Sequence, residues 1–465
     1  MHRAKVSTGR ERARIGPARL LLRQAGALIY GRAIVFGLVA LALAAGCGSL
    51  RRSAEPTPLP PAELTLLSFG SEGSWGVAEE ALTGLFREQQ PNVEFKISDY
   101  GDSPSAYLAA SPVPDIMVIS PGALLDRAVA NGQVLDLTDL WQQAGLTEDY
   151  PAGLRELSAR EGKQYFVPVA NTWTAIYFNK EIFEQYGLEP PQTWDEFIAV
   201  SETLLDNGVT PLSIAGNDIF LSSLWFDYLD LRLNGLDFHR QLLNGEISFQ
   251  DERVRTVFEV WGNLVDRGYF GEAPARVGAT DSVMAIVPRL ADVGLGPGAA
   301  MSLSGPSWLG ELPPELQDGL DFFAFPVIDP SVPKAEALTS YGYMVPSGAE
   351  NREAALAYVE YAGSASAQTA IAPRLNAGGA DLAPANPGAE WGDVPESVQR
   401  GSAILSEASA LTPIFVLAAP DAMWDNADRA IRYFLQNPWD VETTTMMLEE
   451  ARQDALAAGA FLQAE

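Results

Sequence analysis

The sequence predicts an α/β fold, with parallel-type sheets flanked by helices. Two observations carry this. From residue 63 onward, apolar strand-like runs alternate with amphipathic helical runs. Some of the strand runs, PDIMVIS (114–120) above all, are apolar almost throughout, as strands covered on both faces must be. At 465 residues and 47% apolar content the chain can build two or three cores, and its composition is that of a globular protein.

The elements follow in order. ELTLLSF (63–69) alternates like a strand with one covered face, and VAEEALTGLFREQQ (77–90) is an amphipathic helix. NVEFKIS (92–98) and PDIMVIS (114–120) are the next strands, and the loops GSEGSW and SPGA stand at strand ends, where open α/β sheets bind ligands. TAIYFN (174–179) begins a second set. It leads into the helix KEIFEQYG, closed by Gly187, and a Pro-Pro turn into the helix of PPQTWDEFIAVSETLLDNG, closed by Gly208. Both glycines stand where a helix end favours a left-handed residue.

Helical patterns recur near 220–234 and 251–267. MSLSGPSWL (301–309), LDFFAFPVI (320–328) and SVPKAEALTSYGYMVPSG (331–348) return to strand character. A helical run from NREAAL onward, a loop rich in Gly, Ala and Pro (376–395) and two helices near 421–436 and 440–458 finish the chain, with no internal repeat.

The first 46 residues read differently. Eight Arg and Lys side chains precede the apolar run Ala33 to Ala45, which ends in Gly46-Cys47. Basic region, short apolar core and small residues make a secretion signal, and the run is shorter than the ~20 residues a spanning helix needs. LALAAGC resembles the lipobox of bacterial lipoproteins, with Ala44 where Leu is usual, and that resemblance makes Cys47 the acylated residue. It is the only cysteine, so no internal disulfide is possible. Residues 47–61, polar and Pro-rich, read as a flexible tether that holds the body near a membrane and outside the cytoplasm.

Charge excludes some partners. The head takes eight of the 31 Lys and Arg and one of the 60 acids, so the remainder carries 23 basic against 59 acidic residues. A body at −36 repels nucleic acid.

The succession of segments resembles one family over nearly the whole body. The pieces are ELTLLSFGSEGSWGVAEEALTGLFREQQPNVEF, PDIMVIS, VPVANTWTAIYFNKEIFEQYGLEPPQTWDEF, NGEISFQDERVRTVFEVWGNLVDRGYF, AAMSLSGPSWLGEL, SYGYMVPSGAENREAALAYVEY and AMWDNADRAIRYFL. They match, in order, the family 1 extracellular solute-binding proteins of bacterial ABC importers. The resemblance implies a two-lobed periplasmic-binding-protein-like fold (type II) with hinge crossovers. Lobe one would be 62–168 plus 335–375, and lobe two 171–332 plus 380–465. It also implies a monomer with no cofactor and no metal, a small polar solute such as a mono- or oligosaccharide as ligand, and an ABC permease in the membrane as partner.

A sugar site needs flat aromatic faces for C–H patches and planar carboxylates or amides for adjacent hydroxyls. The family's cleft positions point to Trp75, Trp173, Trp225, Trp308 and Trp424 as rings; the polar candidates are Glu72 and Ser120 on the loops of lobe one, Asn171 at the hinge and Asn217 in AGND. Asp218, Asp227, Arg374 and Asp421 are further candidates. For every one of these tryptophans packing inside a core is the alternative. Trp141, Trp194 and Trp261 stand at amphipathic helix spacing and belong to cores. Tyr341 and Tyr343 flank Gly342 on one strand, so one of the two faces the cleft, and Tyr341 is taken as the site residue.

Enzyme readings are poorly supplied. Outside the head there is one histidine, His239, and no cysteine beyond Cys47, so neither a Cys-His pair nor a His-rich zinc site can form. No phosphate-loop motif occurs. Two alternatives stay open: a polyamine or other small polar solute as ligand, marked by several cleft carboxylates, and a secreted glycosidase, marked by a carboxyl pair.

Overall fold

The computed structural model describes residues 58–69, 73–101, 103–288, 298–306, 314–376 and 381–461. The signal, Cys47 and most of the tether, together with Glu72 and Trp308, lie outside the described residues. Among the described residues no helix is long and apolar enough to cross a membrane.

Two sheets organise the chain. The first has six strands in the order Ala383–Pro384, Val167–Asn171, Ser340–Met344, Ile116–Ile119, Ala62–Ser68, Val93–Asp99. Its last three run parallel, whereas Ser340–Met344 and Ala383–Pro384 are antiparallel to their neighbours. The second sheet has the order Leu320–Phe323, Ala175–Asn179, Ala299–Ser304, Thr210–Ser213. Thr210–Ser213 and Ala299–Ser304 are parallel, and Ala175–Asn179 is antiparallel to both neighbours. Each lobe is thus a parallel nucleus, where βα crossovers build the sheet, extended by antiparallel strands where the chain passes between lobes.

Local chemistry explains the boundaries. The strand Ala175–Asn179 turns directly into the helix Lys180–Tyr186, because the Asn179 side chain accepts a hydrogen bond from the Ile182 amide at 3.0 Å. Gly187 closes that helix at φ 62°. The next helix, Trp194–Asp206, opens on a capping box: Thr193 Oγ1 accepts from the Glu196 amide, and the Glu196 carboxylate accepts from the Thr193 amide at 3.0 Å.

Each sheet buries its own core. Leu64, Leu66, Ile116 and Val118 lie under the helix Gly73–Gln89 through Ala78, Leu82 and Phe86. In the second lobe Ile176, Met301 and Leu212 pack against the helices Ile219–Leu233 and Glu252–Asp266. Trp141 and Trp261 are fully buried, and Trp194 stacks on Phe197 at 5.2 Å.

The crossings are short. Val167–Asn171 and Ala175–Asn179 belong to different sheets but are separated by three residues, Thr172 to Thr174. The second crossing is Thr339, between Ala335–Leu338 and Ser340–Met344, and the Thr172 amide donates to the Thr339 carbonyl at 2.8 Å. After residue 380 the chain departs from its expected place in the second lobe. Ala383–Pro384 pairs in the first sheet, and Leu382, Val398 and Leu405 join the first core. The helix Glu396–Ser406 is held there by contact: a Cβ on Gly401 would overlap the Trp173 ring. The chain returns at Ala410–Pro413, parallel to Ala335–Leu338.

Candidate ligand-binding cleft

The three parallel strands of the first lobe end at one edge, and the residues just beyond them meet a common space. Phe69 follows the first strand, Tyr100 and Ser103 the second, and Ser120 the third. These are the carboxyl ends at which open α/β sheets bind ligands. The cavity they edge has a volume of about 590 Å³, within the range of small-molecule sites. Thr172, Thr174 and Thr339 form its floor at the two crossings. The second lobe supplies the far wall from the first turns of the helix Ile219–Leu233, from residues 414–419, and from Asp421 and Trp424.

Rings from both lobes face this space. Tyr341 stands between Phe69 (6.1 Å, edge-on) and Trp75, which stacks behind it at 5.5 Å and 24°. Trp75 is fixed in turn by its indole N–H, which donates to Ser68 Oγ at 3.2 Å. The Tyr100 hydroxyl donates to the Val118 carbonyl at 2.9 Å, so that ring presents its face and not its oxygen. Opposite, Phe220 and Trp424 meet edge to face at 5.6 Å, and Trp424 Nε1 is buried with no partner among the described residues.

The lobes touch at the rim. Arg127 pairs with Asp421 at 3.3 Å, and the Ser103 hydroxyl donates to the same carboxylate at 3.5 Å. Gly122, at φ 149°, lies so close to the Leu417 backbone that a Cβ there would overlap its carbonyl oxygen.

Burial sets the ionisation around the site. Desolvation raises the Tyr341 phenol, so the ring is a neutral donor at physiological pH. Behind it Glu79, 2% exposed, is pushed up to about 7 by desolvation, against the Ser68 and Tyr343 hydrogen bonds that lower it.

Of the residues expected from sequence, the cavity brings together Ser120, Tyr341 and Trp424, with Asp421 from the further set. Trp75 stands one layer behind, as the support of Tyr341. Asn171 and Trp173 do not reach the lining. Side chains alternate along an extended chain, so Thr172 and Thr174 face the cavity while their neighbours turn away: Trp173 into the Phe322 and Gly401 packing, and Asn171 into the sheet between Ser340 and Ala383. Trp225 is fully buried in the second core against Phe270 and Phe325. Asn217 is exposed outside the lining, and Asp218 beside it caps the helix at Leu221. Arg374 is exposed, bonded to the Ala370 carbonyl one turn earlier.

His239 and Asp227 have a different setting. His239 Nδ1 lies 2.7 Å from Asp230 and its Nε2 3.6 Å from Asp227, all fully buried inside the second lobe. The second Asp227 oxygen accepts the Phe415 amide at 2.9 Å. Burial pushes Asp227 up to about 7; for His239 burial is the largest single influence and lowers it, but the Asp230 hydrogen bond and the charges of Asp230 and Asp227 together raise it overall. This cluster braces the segment 414–419 from behind.

Sequence reasoning passed over Phe69, Tyr100, Thr174, Thr339, Phe220 and Arg127. For Phe69 and Tyr100 a signal existed, since one ends a recognised strand and the other stands two residues beyond the next. Phe220 and the 414–419 segment are brought to the cleft by tertiary contacts alone.

A model of the bacterial extracellular solute-binding proteins matches residues 71–369, well over half of the chain. The chain belongs to this family. This solute-binding protein is therefore of an extracytoplasmic type. It is 27% identical over 248 residues to an uncharacterized ABC transporter extracellular-binding protein of Pyrococcus horikoshii, an alignment covering 50% of this chain and 56% of that one. The chain thus spans little more than half the length of that relative. Among solved structures, a bacterial solute receptor described as having an exclusive preference for β-D-galactopyranose superposes with a TM-score of 0.75 at 22% identity, over 86% of this chain and 98% of its own. A chitin oligosaccharide binding protein superposes at 0.70 with 20% identity, over 85% and 99%. At such identities the likeness shows the two-lobed α/β fold.

Proposed function

We propose that this solute-binding protein captures a carbohydrate between its lobes and delivers it, chemically unchanged, to an ABC permease. The observation that carries this reading is the make-up of the cleft. Aromatic rings from both lobes face a floor of hydroxyls, and the one carboxylate in the described lining, Asp421, is already paired with Arg127. Rings take up the C–H patches of a sugar, and hydroxyls pair with its hydroxyls. A polyamine would call for unpaired carboxylates beside the rings. Hydrolysis of a glycoside would call for two carboxyls about 5–10 Å apart. The relatives named as sugar receptors and oligosaccharide-binding proteins lend the reading further support.

In this mechanism the open form binds on one lobe, and closure adds contacts from the other. Ligand then shifts the population by its differential affinity for the closed state. Tyr341 and Ser120 would act from lobe one and Trp424 from lobe two. The lobes are proposed to divide near the crossings at Thr172 and Thr339, with a third passage before Ala410. Acylation at Cys47 would keep the protein at the membrane near its permease, and mass spectrometry of the mature N-terminus reads this directly.

A thermal-shift screen of neutral sugars, polyols and polyamines tests the main reading, because a ligand that binds only the native state raises Tm. Neutral sugars are expected to raise Tm and to be recovered intact by chromatography. A shift with polyamines alone, or recovery of a cleaved sugar, would overturn it.

A further inference from the structure

The two faces of the cleft differ in chemistry. Toward the crossings and the first lobe, the hydroxyls of Ser120, Thr172, Thr339 and Tyr341 hold no hydrogen bond to any described residue, whereas Thr174 is engaged by Tyr228. The unbonded hydroxyls are free to receive a polar guest. The second-lobe wall is hydrocarbon: Leu221 and Leu224 from the first turns of one helix, and Ile414 and Leu417 from the segment beside it. Phe220 and Trp424 extend that wall, and its carboxylate, Asp421, is turned to the rim by Arg127.

A bare sugar carries hydroxyls around its whole edge. An aromatic face can accept a sugar's C–H patch, but an aliphatic side chain neither accepts nor donates. Any hydroxyl closed against Leu221, Leu224 or Leu417 would give up its water and gain no partner. Asp227 and His239 reinforce the point, since they hold the 414–419 segment through the Phe415 amide and so fix the hydrocarbon wall in place.

Resting on the carbohydrate reading, we propose that the natural guest is amphiphilic: a glycoside whose sugar sits on the hydroxyl floor and whose apolar aglycone, aryl or short alkyl, lies against Leu221, Leu224, Ile414 and Leu417. Such a guest satisfies both faces when the lobes close, and a free sugar satisfies one.

The test is calorimetry on the full chain with matched probes: glucose, galactose and maltose, their methyl β-glycosides, and their phenyl β-glycosides. The expected result is that at least one phenyl glycoside binds roughly tenfold or more tightly than its methyl counterpart, as burial of a ring against hydrocarbon should produce, with a more negative heat-capacity change. Leu417→Gln, at a half-buried position of the wall, should lower the phenyl glycoside's affinity several-fold more than the methyl glycoside's and so erase most of that advantage. Leu417→Ala, which shortens the wall without burying a polar group, is a second variant in case the first fails to fold.

Equal affinities for phenyl and methyl members of every pair would overturn the amphiphilic guest and leave the carbohydrate reading standing. A phenyl advantage untouched by both variants would overturn the placement of the aglycone. Binding of none of these probes would overturn the proposal and the reading together.

Discussion

Neighbouring residues at the crossing have opposite duties, and substitution should separate them. Tyr341 presents its ring to the cavity, backed by Trp75 at 5.5 Å, whereas Trp173 is wholly buried against Phe322 and Gly401. Tyr341→Ala is expected to weaken ligand binding about tenfold or more, since a buried ring contributes well over the 1.4 kcal/mol that a factor of ten represents. Its Tm should move little. Trp173→Ala should do the reverse and lose about 3–5 kcal/mol of stability through the cavity it leaves. Denaturant melts beside calorimetry read both, and a normally stable Trp173→Ala protein that no longer binds would return that ring to the site. Nothing in the word NTWT shows which two of its four side chains face the ligand, because alternation fixes the pattern but only the neighbouring strand fixes its phase.

Glu79 gives a pH prediction of definite sign. Its carboxyl rises from an ordinary 4.5 to about 7 by burial, so the folded state binds its proton more tightly than the unfolded chain. That contribution to stability is complete below pH 4.5 and is lost as pH rises through 7. Glu79→Gln removes the loss. Its Tm relative to the parent protein should therefore climb between pH 5 and 8 and level off above. The ceiling is about 3 kcal/mol, from 1.36 kcal/mol per pKa unit. A relative Tm that is flat with pH would mean that Glu79 titrates normally.

At the scale of elements, the long helices and the strands that open each lobe are readable, because caps and periodicity agree with the fold. Thr193 with Glu196, Asn179 and Gly187 mark their boundaries without reference to anything distant. Shorter pieces are not readable. Helices of four to eight residues such as Ala123–Ala130, Leu146–Asp149 and Phe415–Ala418 lie below the window in which periodicity can show itself. Glu396–Ser406 owes its place to a glycine that admits the Trp173 ring. The segment Phe415–Ala418 matters most, since it walls the cleft yet takes its first amide bond from a side chain 188 residues earlier, Asp227. Asp227→Ala should free that amide. Hydrogen exchange at 415–418 should then quicken, and ligand affinity should fall although no ligand contact has been removed. Protection equal to that of the parent protein would show that the apolar packing of Val416 alone holds the segment.

Closure of the whole molecule turns on how near the lobes can come. The Arg127–Asp421 pair bridges the rim but is partly exposed, and such pairs contribute about 0–1 kcal/mol. It can tune closure without enforcing it. Gly122 sets the harder limit. At φ 149° it stands in backbone space that other residues rarely adopt, and any Cβ there meets the Leu417 carbonyl. Gly122→Ala therefore carries two penalties in the shut form, a local strain and a steric stop between lobes, and the second disappears when the lobes part. The substitution should shift the population toward open molecules. Small-angle scattering with a saturating sugar ligand should show less contraction than in the parent protein, and affinity should fall through a faster off-rate, because the closing contacts are what retain the guest. Arg127→Ala serves as the comparison, with a small, salt-dependent loss and full contraction. If the Gly122→Ala protein contracts as far as the parent does, then the Leu417 contact does not limit closure, and the rim must be shut by the ligand alone.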